Sequence, residues 1–150
     1  MKEYKEFQFC WLLIWLMIPV EVLMTLVFIY TVGTRPLTIG SFLFTQAIMV
    51  TITLMFYGMS TTIDSKRITI RFGIGLIRKT IALNKVEKID SVINPWLYGW
   101  GIRYIPNGML YNVSGSEGIE LNFNDTHKII RIGTEDPARL KMEIEKWLGR

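Results

Sequence analysis

Glu21 is the residue whose place in the sequence most demands an explanation. It lies near the middle of an apolar run from Phe7 to Val32. A carboxylate held in hydrocarbon has to be paired, hydrated or protonated. Pro19, two residues earlier, removes a backbone donor and favours a local kink or a wet pocket. A second apolar run, Ser41 to Met59, follows after Gly33 to Gly40. Folding the two runs back to back about positions 36 and 37 sets Glu21 level with Thr51 to Thr53, and Thr25 level with Ile48 and Met49. Gln46 and Thr53 share a face of the second helix at a seven-residue spacing. Glu21, Thr25, Gln46 and Thr53 therefore read as an intramembrane polar seam that glues helices together. The alternative chemistry is a proton or ion relay, which normally needs more ionisable groups than the single one these spans contain.

The remaining reactive residue types offer little. His127 is the sole histidine and Cys10 the sole cysteine, so neither a metal-ligand cluster nor an internal disulfide can be assembled from them. Ser114-Gly115-Ser116 lacks the Gly-x-Ser-x-Gly arrangement of a nucleophile elbow. Gly73 and Gly75 precede no helix and so form no phosphate-binding loop. Asn112-Val113-Ser114 matches a glycosylation acceptor that a cytoplasmic domain would never present to that machinery. The expectation is a protein without catalytic residues, metal or cofactor.

Each apolar run is long enough to cross a bilayer as a helix, which takes roughly 20 residues, and the short linker forces an antiparallel hairpin. The expected spans are 7–32 and 41–59, within a hairpin unit 1–60. The first run is too long for a cleavable signal and has no small-residue cleavage site after it. Trp11, Trp15, Tyr4, Tyr30 and Tyr57 are placed towards the span ends, as amphipathic rings prefer. Only Arg35 lies in the linker. Lys2 and Lys5 precede the first span, and Lys66, Arg67, Arg71, Arg78 and Lys79 follow the second. This distribution predicts a multi-pass protein of the bacterial cytoplasmic membrane with both termini in the cytoplasm. After Ser60 the chain carries 14 basic and 10 acidic residues, a balance suited to an anionic leaflet and not demanding nucleic acid.

The segment 61–150 changes to period two. Ile68, Ile70 and Phe72 alternate with Arg67, Thr69 and Arg71, and the Asp64-Ser65 turn joins this strand to Thr61 to Asp64. Further strands are predicted over Leu76 to Leu83, Val86 to Val92, Gly101 to Ile105, Met109 to Val113, Ile119 to Phe123 and His127 to Ile132. Pro106-Asn107-Gly108 and Asn124-Asp125 supply turns. Asp136 caps a helix that starts at Pro137 and bears one apolar stripe of Leu140, Ile144, Trp147 and Leu148. About seven antiparallel strands make a barrel or sandwich capped by the helix, an α+β domain.

Strands followed by one amphipathic helix resemble a pleckstrin-homology-like (PH-like) domain. The likeness is carried by Gly75-Leu76-Ile77-Arg78-Lys79-Thr80-Ile81-Ala82-Leu83, Val86-Glu87-Lys88-Ile89-Asp90-Ser91-Val92, Leu97-Tyr98-Gly99-Trp100-Gly101 and Thr134-Glu135-Asp136-Pro137. Together they resemble the bacterial PH-domain membrane proteins, in which a two-helix hairpin precedes the domain. The resemblance implies that fold and a membrane address, and little about activity. The short Asp64-Ser65 turn departs from the long basic loop with which eukaryotic relatives grip phosphoinositides.

Two surfaces are candidates for recognition. Trp96, Leu97, Tyr98 and Trp100 crowd between glycines and a proline, either as a partner surface or as a plug for one end of the barrel. Lys66, Arg67, Arg71, Arg78 and Lys79 form a basic set for anionic lipid. The expected function is a non-enzymatic interaction or scaffold protein that presents its PH-like domain at the membrane to a protein partner or another copy. A lipid or peptide reader is the alternative, and an oligomeric proton- or ion-coupled component using Glu21 a weaker one.

Overall fold

The computed structural model of the chain describes residues 4–30, 38–64 and 66–149. Lys2, residues 31–37 with Arg35 of the linker, and Ser65 of the expected turn lie outside them.

The first described element is a strand, where a helix is expected from Phe7. Tyr4–Phe9 (β1) pairs antiparallel with Gly58–Asp64 (β2), with Phe7 opposite Ser60. Alternation explains it: Tyr4 and Gln8 are buried and Glu6 half-buried, while Lys5, Phe7 and Phe9 are exposed. The first apolar helix (α1) is accordingly Trp11–Ile29, not 7–32, and the second (α2) is Ile39–Phe56, not 41–59. Met59, expected in the second span, is fully buried within β2. Both helices are long and apolar enough to cross a membrane. At 1.5 Å per residue, α1 is roughly 28 Å long, close to the ~30 Å of a bilayer's hydrocarbon core. They pack against each other as an antiparallel hairpin, with the rings of Phe28 and Phe42 stacked at 4.2 Å near the linker end.

Among the described residues, nine strands, against the seven or so expected, form two sheets, and of the expected barrel or sandwich the closed barrel does not form. The first sheet runs β1-β2-β3-β4, with β3 at Arg67–Phe72 and β4 at Ile77–Ala82. The second has the order β5-β8-β9-β7-β6. Its members are Val86–Ile93 (β5), Gly101–Ile105 (β6), Gly108–Asn112 (β7), Glu117–Phe123 (β8) and Thr126–Gly133 (β9). The antiparallel expectation fails at one place, because β7 pairs parallel with β9, Leu110 beside Arg131. The strand after β7 crosses to lie against β5 instead of β7, and β9 returns to fill the gap between them. Gly108 makes this close approach possible, since a Cβ there would run into the backbone of Ile129.

One core joins both sheets and the final helix. Ile63, Ile68, Ile70 and Phe72 meet Ile89, Ile119, Leu121 and Ile132, with Tyr111 beside Phe72. The final helix (α3), Pro137–Leu148, buries Leu140 and Ile144 against them. Asp136 accepts a hydrogen bond from the Arg139 amide at 2.9 Å, and Gly149 ends the helix at φ +74°.

Where β1 ends the first sheet, side chains bridge to the second. The Gln8 amide donates to the Gly133 carbonyl at 2.9 Å. The Glu6 carboxylate accepts from the Tyr4 hydroxyl, the Gln8 amide, the Thr134 hydroxyl and the Glu135 backbone amide. Burial, and then the Glu6 charge, hold the Tyr4 phenol well above its ordinary range.

Candidate functional site

The hairpin grows directly out of the β1–β2 ribbon. Cys10 alone separates β1 from α1, and Tyr57 alone separates α2 from β2. The Cys10 amide donates to the Tyr57 carbonyl at 2.8 Å, which ties the two junctions together. A helix leaves its last carbonyls without internal partners. Here the turn between β3 and β4 supplies one, as the Ile74 amide donates to the Leu54 carbonyl at 3.1 Å. The adjacent Gly73 amide donates to the Gly58 carbonyl at 2.8 Å. Gly73 has φ +49°, and any Cβ would strike the backbone of Leu54 and Met55, so both its angle and its surroundings require glycine. Three backbone hydrogen bonds and a strand ladder thus tie the base of the hairpin to the first sheet.

Two loops flank this base. On the α2 side the β3–β4 turn exposes Ile74 and Leu76, the latter by 71%. Next to that turn, Arg71 and Arg78 lie directly opposite each other, both exposed. Like charges so placed repel, and neither has an ion-pair partner among the described residues. The rest of the predicted basic set is spread out: Lys66 and Arg67 sit at the opposite end of β3, and Lys79 pairs with Ile70 on β4. All five are exposed, but the fold brings only Arg71 and Arg78 together beside the hairpin.

On the α1 side lies the segment between β5 and β6. A short 3-10 turn, Trp96–Tyr98, is closed by bonds from Tyr98 to Pro95 and from Gly99 to Trp96, and Gly99 and Gly101 take positive φ. Trp96 is 82% exposed, Leu97 75% and Trp100 39%, with Tyr98 half-buried. Trp96 and Leu97 stand on the surface, while Tyr98 and Trp100 are partly covered. Between Trp100 and the first two turns of α1 runs a groove of about 420 Å³. Leu12 and Leu16 wall it on the helix side, Trp100 and Ile102 on the strand side, and Phe56 and Val113 also line it. Arg103 is its single charged lining residue, exposed, with its Nε donating to the Trp100 carbonyl at 3.2 Å.

No family model, curated protein or solved structure matches this chain.

Within the hairpin the predicted polar seam forms in part. The Gln46 amide donates to the Thr25 hydroxyl at 3.1 Å, and Thr25 donates to the Glu21 carbonyl at 2.8 Å. Thr53 is not brought in: its hydroxyl bonds back to the Met49 carbonyl of its own helix. The Glu21 carboxylate has no side-chain partner among the described residues and borders a hollow of about 290 Å³ shared with Val22, Thr25, Leu26 and Gln46. The Gln46 Oε1 atom is buried and unpaired.

Among the described residues no group of three His, Cys, Asp or Glu is placed to hold a metal. His127 is exposed near the β8–β9 turn, and Cys10 is buried, with burial pushing its thiol pKa up, away from the reactive thiolate. Sequence reasoning missed Arg103, Ile74, Leu76 and the Glu6 cluster. Arg103 was findable as the cation that follows Trp100 by three residues. Glu6 was not, because its partners lie at positions 134 and 135.

Proposed function

We propose that this chain is a non-enzymatic interaction protein of a membrane, in which the helical hairpin spans the bilayer and holds a PH-like domain rigidly at one face. Its partner is a second copy or another membrane protein, met first through the hairpin. The observation that carries this is the pair of unmet polar groups on the hairpin, the Glu21 carboxylate and Gln46 Oε1. In hydrocarbon such groups cost several kcal/mol each unless something satisfies them. Donors from a neighbouring helix, seated along Val22 and Leu26, would do so. The resemblance to bacterial PH-domain membrane proteins and the cation distribution support a cytoplasmic face and a bacterial inner membrane.

The experiment is the mass of the full chain in mild detergent, by light scattering, for the wild type and for Glu21→Leu and Gln46→Leu. The expected result is an oligomer in the wild type and a shift to monomer in the variants. Unchanged assembly in both variants would overturn the role given to the hairpin.

A second reading, contact with anionic lipid, is favoured by Arg71 and Arg78 beside the exposed turn residues Ile74 and Leu76. A cation near an anionic leaflet contributes about 1 kcal/mol, so this pair orients the domain and does not select a ligand.

A further inference from the structure

We infer that the groove between α1 and the Trp100–Arg103 segment is a binding site for one phospholipid of the surrounding bilayer, with an acyl chain along Leu12 and Leu16 and the phosphate on Arg103. This rests on the reading that the hairpin spans a membrane.

The groove's position selects that occupant. Leu12 and Leu16 belong to the same exposed apolar surface that continues along α1 through Trp15, Leu23 and Leu26. If that surface is bathed in acyl chains, so is the open side of the groove. Its depth fits as well. Leu12 lies at the first residues of the helix and Leu16 about one turn further in, which spans the boundary between headgroup and hydrocarbon. Its volume, about 420 Å³, falls within the roughly 300–1,000 Å³ typical of small-molecule sites. Aromatic rings at this depth, Trp11 on the helix and Trp96 and Trp100 on the loop, are the residue type that settles among headgroups.

The polar end is equally specific. A guanidinium presents five donors, and Arg103 spends one, at Nε, on the Trp100 carbonyl. That bond anchors the guanidinium plane at the mouth of the groove. The two terminal nitrogens remain for the planar, two-point contact that phosphate oxygens accept. No carboxylate forms an ion pair with Arg103 among the described residues. Gly99, whose Cβ direction points towards the Arg103 terminal nitrogen, leaves that side open.

The test uses the full chain reconstituted in nanodiscs of phosphatidylglycerol and phosphatidylcholine in equal parts, released into mild detergent and weighed intact by native mass spectrometry. The wild type should retain one phospholipid per chain, enriched in phosphatidylglycerol. Arg103→Gln should cut retention on the order of tenfold, the loss of one charge-assisted contact, and Arg103→Lys should restore part of it. Leu16→Trp, which fills the groove from the exposed helix face without touching the core, should abolish retention. Arg71→Gln and Arg78→Gln should leave it unchanged. Equal lipid retention in Arg103→Gln and Leu16→Trp, or loss of retention in the Arg71 and Arg78 variants, would overturn the site while leaving the membrane reading intact. Release of the wild type from membranes by alkaline carbonate would instead overturn the membrane reading itself.

Discussion

Replacing Gly73 with alanine should be far more damaging than the same change at Gly115, although both glycines occupy left-handed backbone. Gly73 has φ +49° and Gly115 φ +65°, so the conformational penalty for an L residue is about 1 kcal/mol at each. Around Gly115 nothing lies within 4 Å of the added Cβ. At Gly73 the Cβ meets the end of α2, and relieving that overlap must push the turn off the helix. The bonds from Gly73 to Gly58 and from Ile74 to Leu54 would go with it, at about 1 kcal/mol net for each. The expected losses are thus about 3 kcal/mol for Gly73→Ala and about 1 kcal/mol for Gly115→Ala. Their difference of about 2 kcal/mol corresponds to an apparent melting temperature lower by roughly 4–8 °C. Tryptophan fluorescence of the full chain in detergent reports this, since Trp11 and Trp100 sit next to the base of the hairpin. If the two variants melt together, the turn does not bear on the helix end and the rigid-base argument is wrong.

Three further outcomes follow from the contacts described. Glu6→Ala removes the acceptor of the Tyr4 and Thr134 hydroxyls and should cost about 2–4 kcal/mol, with Glu6→Gln costing about half as much. Hydrogen exchange should localise the loss to β1 and leave β3 protected. Tyr4 holds its proton more tightly folded than unfolded, so its contribution is complete below the unfolded value of 10.0 and is lost as pH rises above it. Tyr111 is shifted the same way by burial. Alkaline unfolding followed by fluorescence should therefore be shallower in Tyr4→Phe and shallower still when Tyr111→Phe is added. Asp136→Ala removes the cap of α3 and should cost about 1 kcal/mol, read as a lower urea midpoint with an unchanged slope.

The two apolar helices and the helix cap at Asp136 were legible because each rests on a local signal. The period of Ile68, Ile70 and Phe72 likewise placed β3, and the strands from β4 to β9 appeared within a residue or two of their expected bounds. β1 was hidden for a physical reason. Its inward positions include Glu6 and Gln8, and its phenylalanines face out, so the apolar pattern joined the following helix instead of marking a strand. The parallel pairing of β7 with β9 has no local signal at all, since it depends on where β8 returns. The strands lie in two sheets, so of the expected barrel or sandwich it is the closed barrel that does not form. At the candidate sites, residue type named Trp96, Leu97, Tyr98 and Trp100, of which the fold exposes Trp96 and Leu97 most, and only the fold could separate Arg71 and Arg78 from Lys66 and Arg67. Of the seam residues, Thr25 and Gln46 are hydrogen-bonded to each other, whereas the Thr53 hydroxyl finds a carbonyl in its own helix.

The placement of β1 has a consequence for how the molecule is made. The hairpin is an insertion in the bend of a β ribbon: the first strand is synthesised before either apolar helix, and its neighbour β2 only after both. If the hairpin spans a membrane as proposed, an emerging chain holds one edge of its sheet in waiting while the helices are placed, and the core closes only when both strands stand on the same side. On that reading correct insertion is a precondition of folding, and a chain with one helix misplaced would keep β1 and β2 apart. A fragment starting at Thr61 would lack the Glu6 and Gln8 bridges and bare the edge of β2 to other chains.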